Sequence, residues 1–190
     1  MQTNLTANQL SGRATGALFF VGFGTLWLGL ALVARQQMNA ASITAVLSGA
    51  VVLAAAALGL LRIAGRFSRV PEDPAVGRAF NRINALQWIT IALVVAAFSL
   101  LHISLYALSA ITVIVGLHMF PLARLFRYWP HHLSGALLTA WGVASIFVAP
   151  AGSLQSVTAF GTGLLLWLSA TMTLALAWRL ALRSDRAVAA

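Results

Sequence analysis

Residues 83–123 contain no Asp, Glu, Lys or Arg. Their 41 positions are roughly twice the length that one helix needs to cross a bilayer. The stretch must therefore fold back on itself within the membrane, as two antiparallel helices joined by a short turn. Three further charge-free runs, residues 14–34, 36–61 and 128–178, predict one, one and two spans. We therefore expect an all-α polytopic membrane protein whose six transmembrane helices form a bundle.

The spans and turns follow from the positions of polar residues, Pro and Gly. Polar residues at 102–104 break the third run, and Pro and Gly at 150–153 break the fourth, since both interrupt helices. The 62–82 segment is the sizeable connection, expected on the cytoplasmic side. Residues 1–12 are expected to form a short frayed polar tail or an interfacial turn. We expect one membrane domain, residues 1–190, with spans at 14–34, 43–61, 83–101, 105–123, 133–149 and 157–178.

The 62–82 connection contains a helix start signal. Asp73 is expected to cap a helix whose first residue is Pro74, a favoured arrangement. Asp73 and its neighbour Glu72 are also expected to form weak surface ion pairs with the arginines of this loop. The third helix would then begin at the membrane surface and continue into the bilayer.

Composition restricts the function classes. Hydrophobic residues make up 61% of the chain and charged residues 8%, against about 25% charged in typical soluble domains. Cysteine is absent, which excludes disulfides, thiolate metal sites and cysteine nucleophiles. The net charge of +9 comes from arginines beside apolar spans, where they would meet anionic lipid headgroups. This positive charge therefore indicates that the lipid bilayer is the partner and that the protein does not bind nucleic acid.

The arginines alternate between the two sides of the predicted bundle. Eleven of the twelve fall on one side and only Arg35 on the other, which by the positive-inside rule places both termini in the cytoplasm. A bacterial cytoplasmic (inner) membrane is the expected location. Besides Arg13 and Arg186, the arginines predicted to contact lipid headgroups and to set the topology are Arg62, Arg66, Arg69, Arg78, Arg82, Arg124, Arg127, Arg179 and Arg183.

Polar residues inside the hairpin of the third and fourth spans are candidates for a site. Asn84 and Gln87 lie at helical spacing beside Trp88, and antiparallel pairing puts Gln87 at the depth of His118. Ionisable groups within spans are costly and often functional. These four residues therefore form the candidate ligand-binding set, in a polar pocket open to the cytoplasm.

A structural role for the same residues is equally open. Pro121 is expected to bend the fourth helix and to free the carbonyl of Leu117. That carbonyl needs a hydrogen-bond donor in so apolar a setting, and Asn84 or Gln87 could supply it. The polar residues would then hold a kinked hairpin together.

The segment GLHMFPLARLF, residues 116–126, resembles a motif of small bacterial multi-span membrane proteins without an assigned activity. The Phe/Gly/Trp pattern of the first span and the pair Asn84 and Gln87 are similar to that group. The resemblance implies a multi-span fold over most of the chain and no particular reaction. It draws attention to His118 and Pro121.

The sequence favours two functions, neither of them enzymatic. No Asp or Glu lies in any predicted span, so a Ser/His nucleophilic site would lack an acidic partner. No cofactor or metal is expected, because the histidines, His131 and His132 included, do not fall at matched depths on two helices. The first hypothesis is a small-molecule binder, transporter or channel. The second is a structural or accessory subunit that packs with itself or another membrane protein through helix faces rich in Gly and Ala.

Overall fold

Apolar runs separated by Pro, Gly and polar residues form helices throughout the computed structural model. It describes residues 6–71 and 73–189, with side chains through residue 184, so Glu72 and the Arg186 side chain lie outside the described residues. Each of the six α-helices in this part contains a stretch long and apolar enough to cross a membrane. The predicted all-α, six-helix architecture is confirmed. The helices are α1 (Ala7–Ala34), α2 (Ala40–Ala64), α3 (Pro74–Leu100), α4 (Ala107–Leu125), α5 (Pro130–Val148) and α6 (Leu154–Ala189).

The expectation of a frayed tail over residues 1–12 is wrong for residues 7–12, which form the first turns of α1. The physical reason is a capping box. The Thr6 hydroxyl accepts the Gln9 amide at 3.3 Å, and the Gln9 side chain accepts the Thr6 amide at 3.4 Å. The Ala7 amide also donates to the Ser68 carbonyl at 2.9 Å. This end of α1 is therefore fixed to the α2–α3 connection.

The start of α3 agrees with the sequence prediction. The Asp73 carboxylate accepts the amide of Ala75 at 2.8 Å, and Pro74 is the first helical residue. The helix therefore begins before the predicted span at residue 83, and residues 65–73 separate α2 from α3. Arg78 and Arg82 consequently lie on α3 and not in a loop.

Three of the connections close with Schellman motifs, in which an amide bonds to the carbonyl five residues earlier. The residue in the left-handed region is Gln36, His102 or Arg127, with φ of 55°, 58° and 48°. Glycine is usual at this position because a Cβ makes the left-handed region unfavourable. The turn that the sequence predicted at residues 102–104 is thus built around His102, and the predicted turn at 150–153 contains Gly152 with φ 75°.

The bundle is centred on α1 and α6, which form its most extensive helix pair. Helix α2 packs mainly on α1, and α4 and α5 form a second close pair that joins α6 chiefly through α5. Helix α3 packs on α4 and contributes no buried residue. The predicted α3–α4 hairpin is therefore formed, but at the edge of the bundle. Helix α2 is paired with α1, and of its residues only Ala57, Leu60 and Ala64 are buried.

Two tryptophans of α6 lie against glycines of α1 and α2. The Trp167 ring fills the space beside Gly24 and Gly49, and the Trp178 ring contacts Gly59. Each indole also donates to a helix carbonyl, that of Val21 or Ala56, at 3.3 Å. Small residues let helices approach closely in a membrane, where no hydrophobic force drives them together. These contacts attach α1 and α2 to α6.

Buried hydroxyl groups join α4, α5 and α6 in the interior. The Thr158 hydroxyl donates to Ser145 at 2.9 Å and lies 3.2 Å from the Ser109 hydroxyl. One turn along, Thr112 and Thr162 are 2.9 Å apart. All five side chains are fully buried. The network satisfies polar groups that lipid could not satisfy, and it fixes the relative rotation of three helices.

Candidate functional site

The predicted hairpin residues lie on facing parts of α3 and α4. The rings of Phe80 and Phe126 are 5.8 Å apart, which agrees with a register that puts Gln87 at the depth of His118. His118 is buried on α4, whereas Asn84 and Gln87 are half-buried on α3. Trp88 is 57% exposed and approaches Phe23 of α1, with ring centres 6.4 Å apart.

The hydrogen bonds expected from Asn84 and Gln87 are not formed. Within the described part of the chain, neither side chain bonds to the Leu117 carbonyl or to any other group. Helix α4 continues through Pro121 to Leu125. The two amides therefore have no hydrogen-bond partner in the described structure.

His118 connects α3 to a second group of polar residues that the sequence did not associate with it. Its imidazole interacts with the backbone of Ile83 on α3. It is also close enough to His131, the second residue of α5, for the two imidazoles to interact electrostatically.

Arg13, Tyr128 and His131 meet and form what we call the Arg13 cluster. The guanidinium carbon of Arg13 lies 5.2 Å from the centre of the Tyr128 ring. The Tyr128 and His131 rings meet edge to face with centres 5.0 Å apart, and Phe20 contacts His131 at 5.8 Å. The cluster thus joins the first part of α1 to the α4–α5 turn and the start of α5, which are more than 100 residues away in sequence.

Local structure explains how α1 positions Arg13. The capping box and the bond to Ser68 extend α1 by two turns, so that Arg13 lies within a fixed helix. Arg13 and Phe20 are seven residues apart, on one face of that helix. The neighbouring residues Ala14 and Ala17 are fully buried. Arg13 is therefore held against the bundle, whereas the nine predicted headgroup arginines, Arg62 to Arg183, are exposed.

The Schellman turn after α4 positions the other two members. Arg127 takes the left-handed conformation, and the Tyr128 amide donates to the Ala123 carbonyl at 3.0 Å. Pro130 then begins α5, and the His131 amide donates to the Tyr128 carbonyl at 3.2 Å. Tyr128 and His131 are thus held by the same short stretch of backbone.

Each member of the Arg13 cluster has a buried polar atom without a hydrogen-bond partner in the described structure. These atoms are Nη1 of Arg13, the hydroxyl of Tyr128 and Nδ1 of His131. A buried unsatisfied polar atom costs about 1–3 kcal/mol, and buried charges are normally paired. All three atoms can donate hydrogen bonds when the imidazole carries its proton on Nδ1. Chemically, the arrangement suits an acceptor with negative charge, a carboxylate or a phosphate.

Sequence reasoning assigned these residues to other roles. The sequence predicts Arg13 only as one of the arginines that set the topology, and it associates neither Tyr128 nor His131 with it. One local signal was present, since Thr6 and Gln9 have the spacing of a capping box that extends α1 through Arg13. The approach of Tyr128 to α1 has no sequence signal, because it depends on how the helices pack.

Two surface cavities lie elsewhere in the described structure. A shallow one of about 250 Å³ lies on the outer face of α1 around Phe19 and Phe23. The other, of about 360 Å³, lies near Arg35 at the opposite end of the bundle. Neither is lined by Asn84, Gln87 or His118. Among the described residues, no three His, Asp or Glu side chains come together in a way that could hold a metal ion.

Comparisons with known proteins give no relative. No family model matches the chain, and no match is found among curated proteins or solved structures. The resemblance of residues 116–126 to small bacterial multi-span proteins therefore gains no support from them.

Proposed function

We propose that this integral membrane protein binds a small anionic molecule at the Arg13 cluster, as a non-enzymatic binder or transporter. The observation that supports this most is that Arg13, Tyr128 and His131, whose guanidinium and rings contact one another, each have a buried polar atom without a hydrogen-bond partner in the described structure. One anion with two or more oxygens would satisfy all three and neutralise the guanidinium. Charge-assisted hydrogen bonds of this kind are roughly twice as strong as neutral ones.

The proposed pocket faces the cytoplasm. Eleven of the twelve arginines belong to the end that contains the Arg13 cluster, and the positive-inside rule places that end, with both termini, in the cytoplasm. A bacterial inner membrane is the proposed location. An anion from the cytoplasm would then reach Arg13 without crossing the apolar part of the bundle.

His118 extends the proposed site toward the α3–α4 hairpin. It is buried and interacts with the backbone of Ile83, and the register of α3 and α4 puts the amides of Asn84 and Gln87, which have no hydrogen-bond partner in the described structure, near its depth. We propose that these amides, with Trp88 at the edge, contact the uncharged part of the ligand. Amide groups can donate and accept, so they suit a polar ligand larger than a simple ion.

Calorimetric titration of the purified protein with inorganic phosphate and with succinate tests this proposal. Arg13→Gln should lower the affinity for whichever of the two anions binds more tightly. The decrease should be at least tenfold, since a hydrogen bond to a charged group contributes about 1.5–3 kcal/mol. Arg124→Gln is the matched control, because Arg124 lies at the same end but is exposed in the last turn of α4. Equal affinities of the two variants, or no binding of either anion by the wild type, would contradict the proposal.

A structural or accessory role is the second candidate, and the position of α3 favours it. This helix packs on α4, and none of its residues is buried. On α1, Gly16 and Gly22 also have open space where a side chain would be. Another copy of the chain or another membrane protein could cover these faces. Cross-linking from a cysteine at position 89, where Ile89 is exposed on α3, would detect such a partner.

A further inference from the structure

The 360 Å³ cavity, which we call the Arg35 cleft, lies at the end of the bundle opposite the Arg13 cluster. It is formed by the end of α1, by α5 and by the first turns of α6. Phe160 and Leu164 line it and are 41% and 44% exposed. The lining is apolar except for Arg35 at its rim. Its volume is in the lower part of the range of about 300–1,000 Å³ that is usual for ligand sites.

The wall of the cleft is rigid. Gly161 has no side chain, and the Trp141 ring lies in the space that a Cβ would need. The Trp141 indole donates to the Thr158 carbonyl at 3.1 Å, which fixes its orientation. The Thr158 hydroxyl in turn belongs to the buried network with Ser109 and Ser145. The cleft is therefore a preformed feature of the helix packing.

Arg35 brings one uncompensated positive charge to this rim. Its guanidinium carbon lies 5.4 Å from the centre of the Phe160 ring, and its side chain is exposed. In the described part of the chain it has no acidic partner, and Asp73 caps α3 at the other end. Arg35 is also the one arginine that the sequence places at this end.

We propose that the Arg35 cleft binds one anionic phospholipid, with an acyl chain along Trp141, Phe160 and Leu164 and the phosphate at Arg35. Phe160 and Leu164 are exposed on the first turns of α6, within its apolar stretch, so the surroundings of the lining in a membrane are lipid chains. Arginine and tryptophan near the ends of spans are the residues that meet headgroups. A free phosphate would leave the apolar lining unfilled, and a lipid without net charge would leave Arg35 uncompensated.

Native mass spectrometry of the purified protein tests this proposal with phosphatidylglycerol and phosphatidylcholine of identical acyl chains. The wild type should retain one phosphatidylglycerol in preference to phosphatidylcholine. Arg35→Gln should reduce this preference roughly fivefold, the factor that corresponds to about 1 kcal/mol for a basic residue near an anionic headgroup. Equal retention of the two lipids by the wild type, or an unchanged preference in Arg35→Gln, would overturn the proposal.

The acyl chain is tested separately by filling the cleft. Leu164→Trp should lower retention of both lipids, whereas Leu168→Trp, one turn further along α6 and 57% exposed, should not. Displacement of the lipid by glycerol phosphate alone would show a headgroup site only and would contradict the acyl contact. Arg13→Gln should leave lipid retention unchanged, which separates this site from the anion site. If Arg13→Gln lost the lipid and Arg35→Gln retained it, the lipid would bind at the Arg13 end of the bundle. That result would contradict the proposal.

Discussion

The guanidinium carbon of Arg13 lies 5.2 Å from the centre of the Tyr128 ring, and this contact joins the start of α1 to the turn between α4 and α5. The Nη1 atom of Arg13 and the Tyr128 hydroxyl are both buried without a hydrogen-bond partner. A cation over an aromatic ring is stabilised by the ring, but its N–H groups still need acceptors. The contact therefore holds the arginine in place while leaving its donors available for a ligand.

Tyr128→Phe separates binding from packing. The substitution keeps the ring contacts with Arg13 and His131 and removes only the hydroxyl. Without an anion, the variant should be as stable as the wild type or more stable by about 1 kcal/mol, because a buried unsatisfied group is lost. With an anion, its affinity should fall about tenfold or more. Thermal unfolding in detergent and calorimetry measure the two effects, and lower stability with unchanged affinity would show a purely structural hydroxyl.

Gly116→Ala tests the close approach of α4 and α5. A Cβ on Gly116 would lie 2.8 Å from the Gly135 carbonyl oxygen, so the two helices would have to separate. We expect a loss of about 1–3 kcal/mol in the free energy of unfolding in mixed micelles. Gly22→Ala is the control, since nothing lies within 4 Å of its Cβ position, and it should stabilise α1 slightly. Equal effects of the two substitutions would argue against this packing.

Thr158→Val tests the buried hydroxyl network. It removes the bonds to Ser145 and Ser109 and nearly preserves the shape of the side chain. Hydrogen bonds between membrane helices contribute about 0.6 kcal/mol on average, so we expect a loss of about 1 kcal/mol in stability. Thr171→Val should have almost no effect, because the exposed Thr171 hydroxyl bonds only to the Trp167 carbonyl of its own helix. Unfolding curves of both variants check this difference, and a larger effect at Thr171 would refute it.

Single cysteines test the proposed orientation, and the absence of natural cysteines makes each introduced thiol unique. Ser68 in the α2–α3 connection and Gln37 in the α1–α2 turn are both exposed, at opposite ends of the bundle. In intact cells, an impermeant thiol reagent should label Gln37→Cys and spare Ser68→Cys. Inverted vesicles should give the reverse pattern, and labelling of Ser68→Cys from outside would invert the proposed topology.

Much of the local structure could be predicted from the sequence because its signals are local. The charge-free runs predicted the number of helices, and Asp73 with Pro74 predicted the start of α3. The start of α1 was missed although Thr6 and Gln9 have the spacing of a capping box, because polarity was taken to indicate a frayed tail. Helix ends are thus predictable where a side chain caps the backbone.

The arrangement of the helices was not predictable, and neither was most of the candidate site. Membrane helices are apolar on all faces, so hydrophobic periodicity does not show that α1 packs on α6 or that α3 lies at the edge. His118 was recognised because it is a titratable group inside a span. Its proximity to His131, and that of Arg13 to Tyr128, depend on helix rotations that no local pattern specifies.

An experimental density map of the protein in lipid nanodiscs, prepared with the anion that binds best, would show directly whether the Arg13 cluster holds an anion. We expect non-protein density about 3 Å from Nη1 of Arg13, the hydroxyl of Tyr128 and Nδ1 of His131 at the same time. A map in which these three atoms bond to other protein groups, with no density between them, would contradict the anion site.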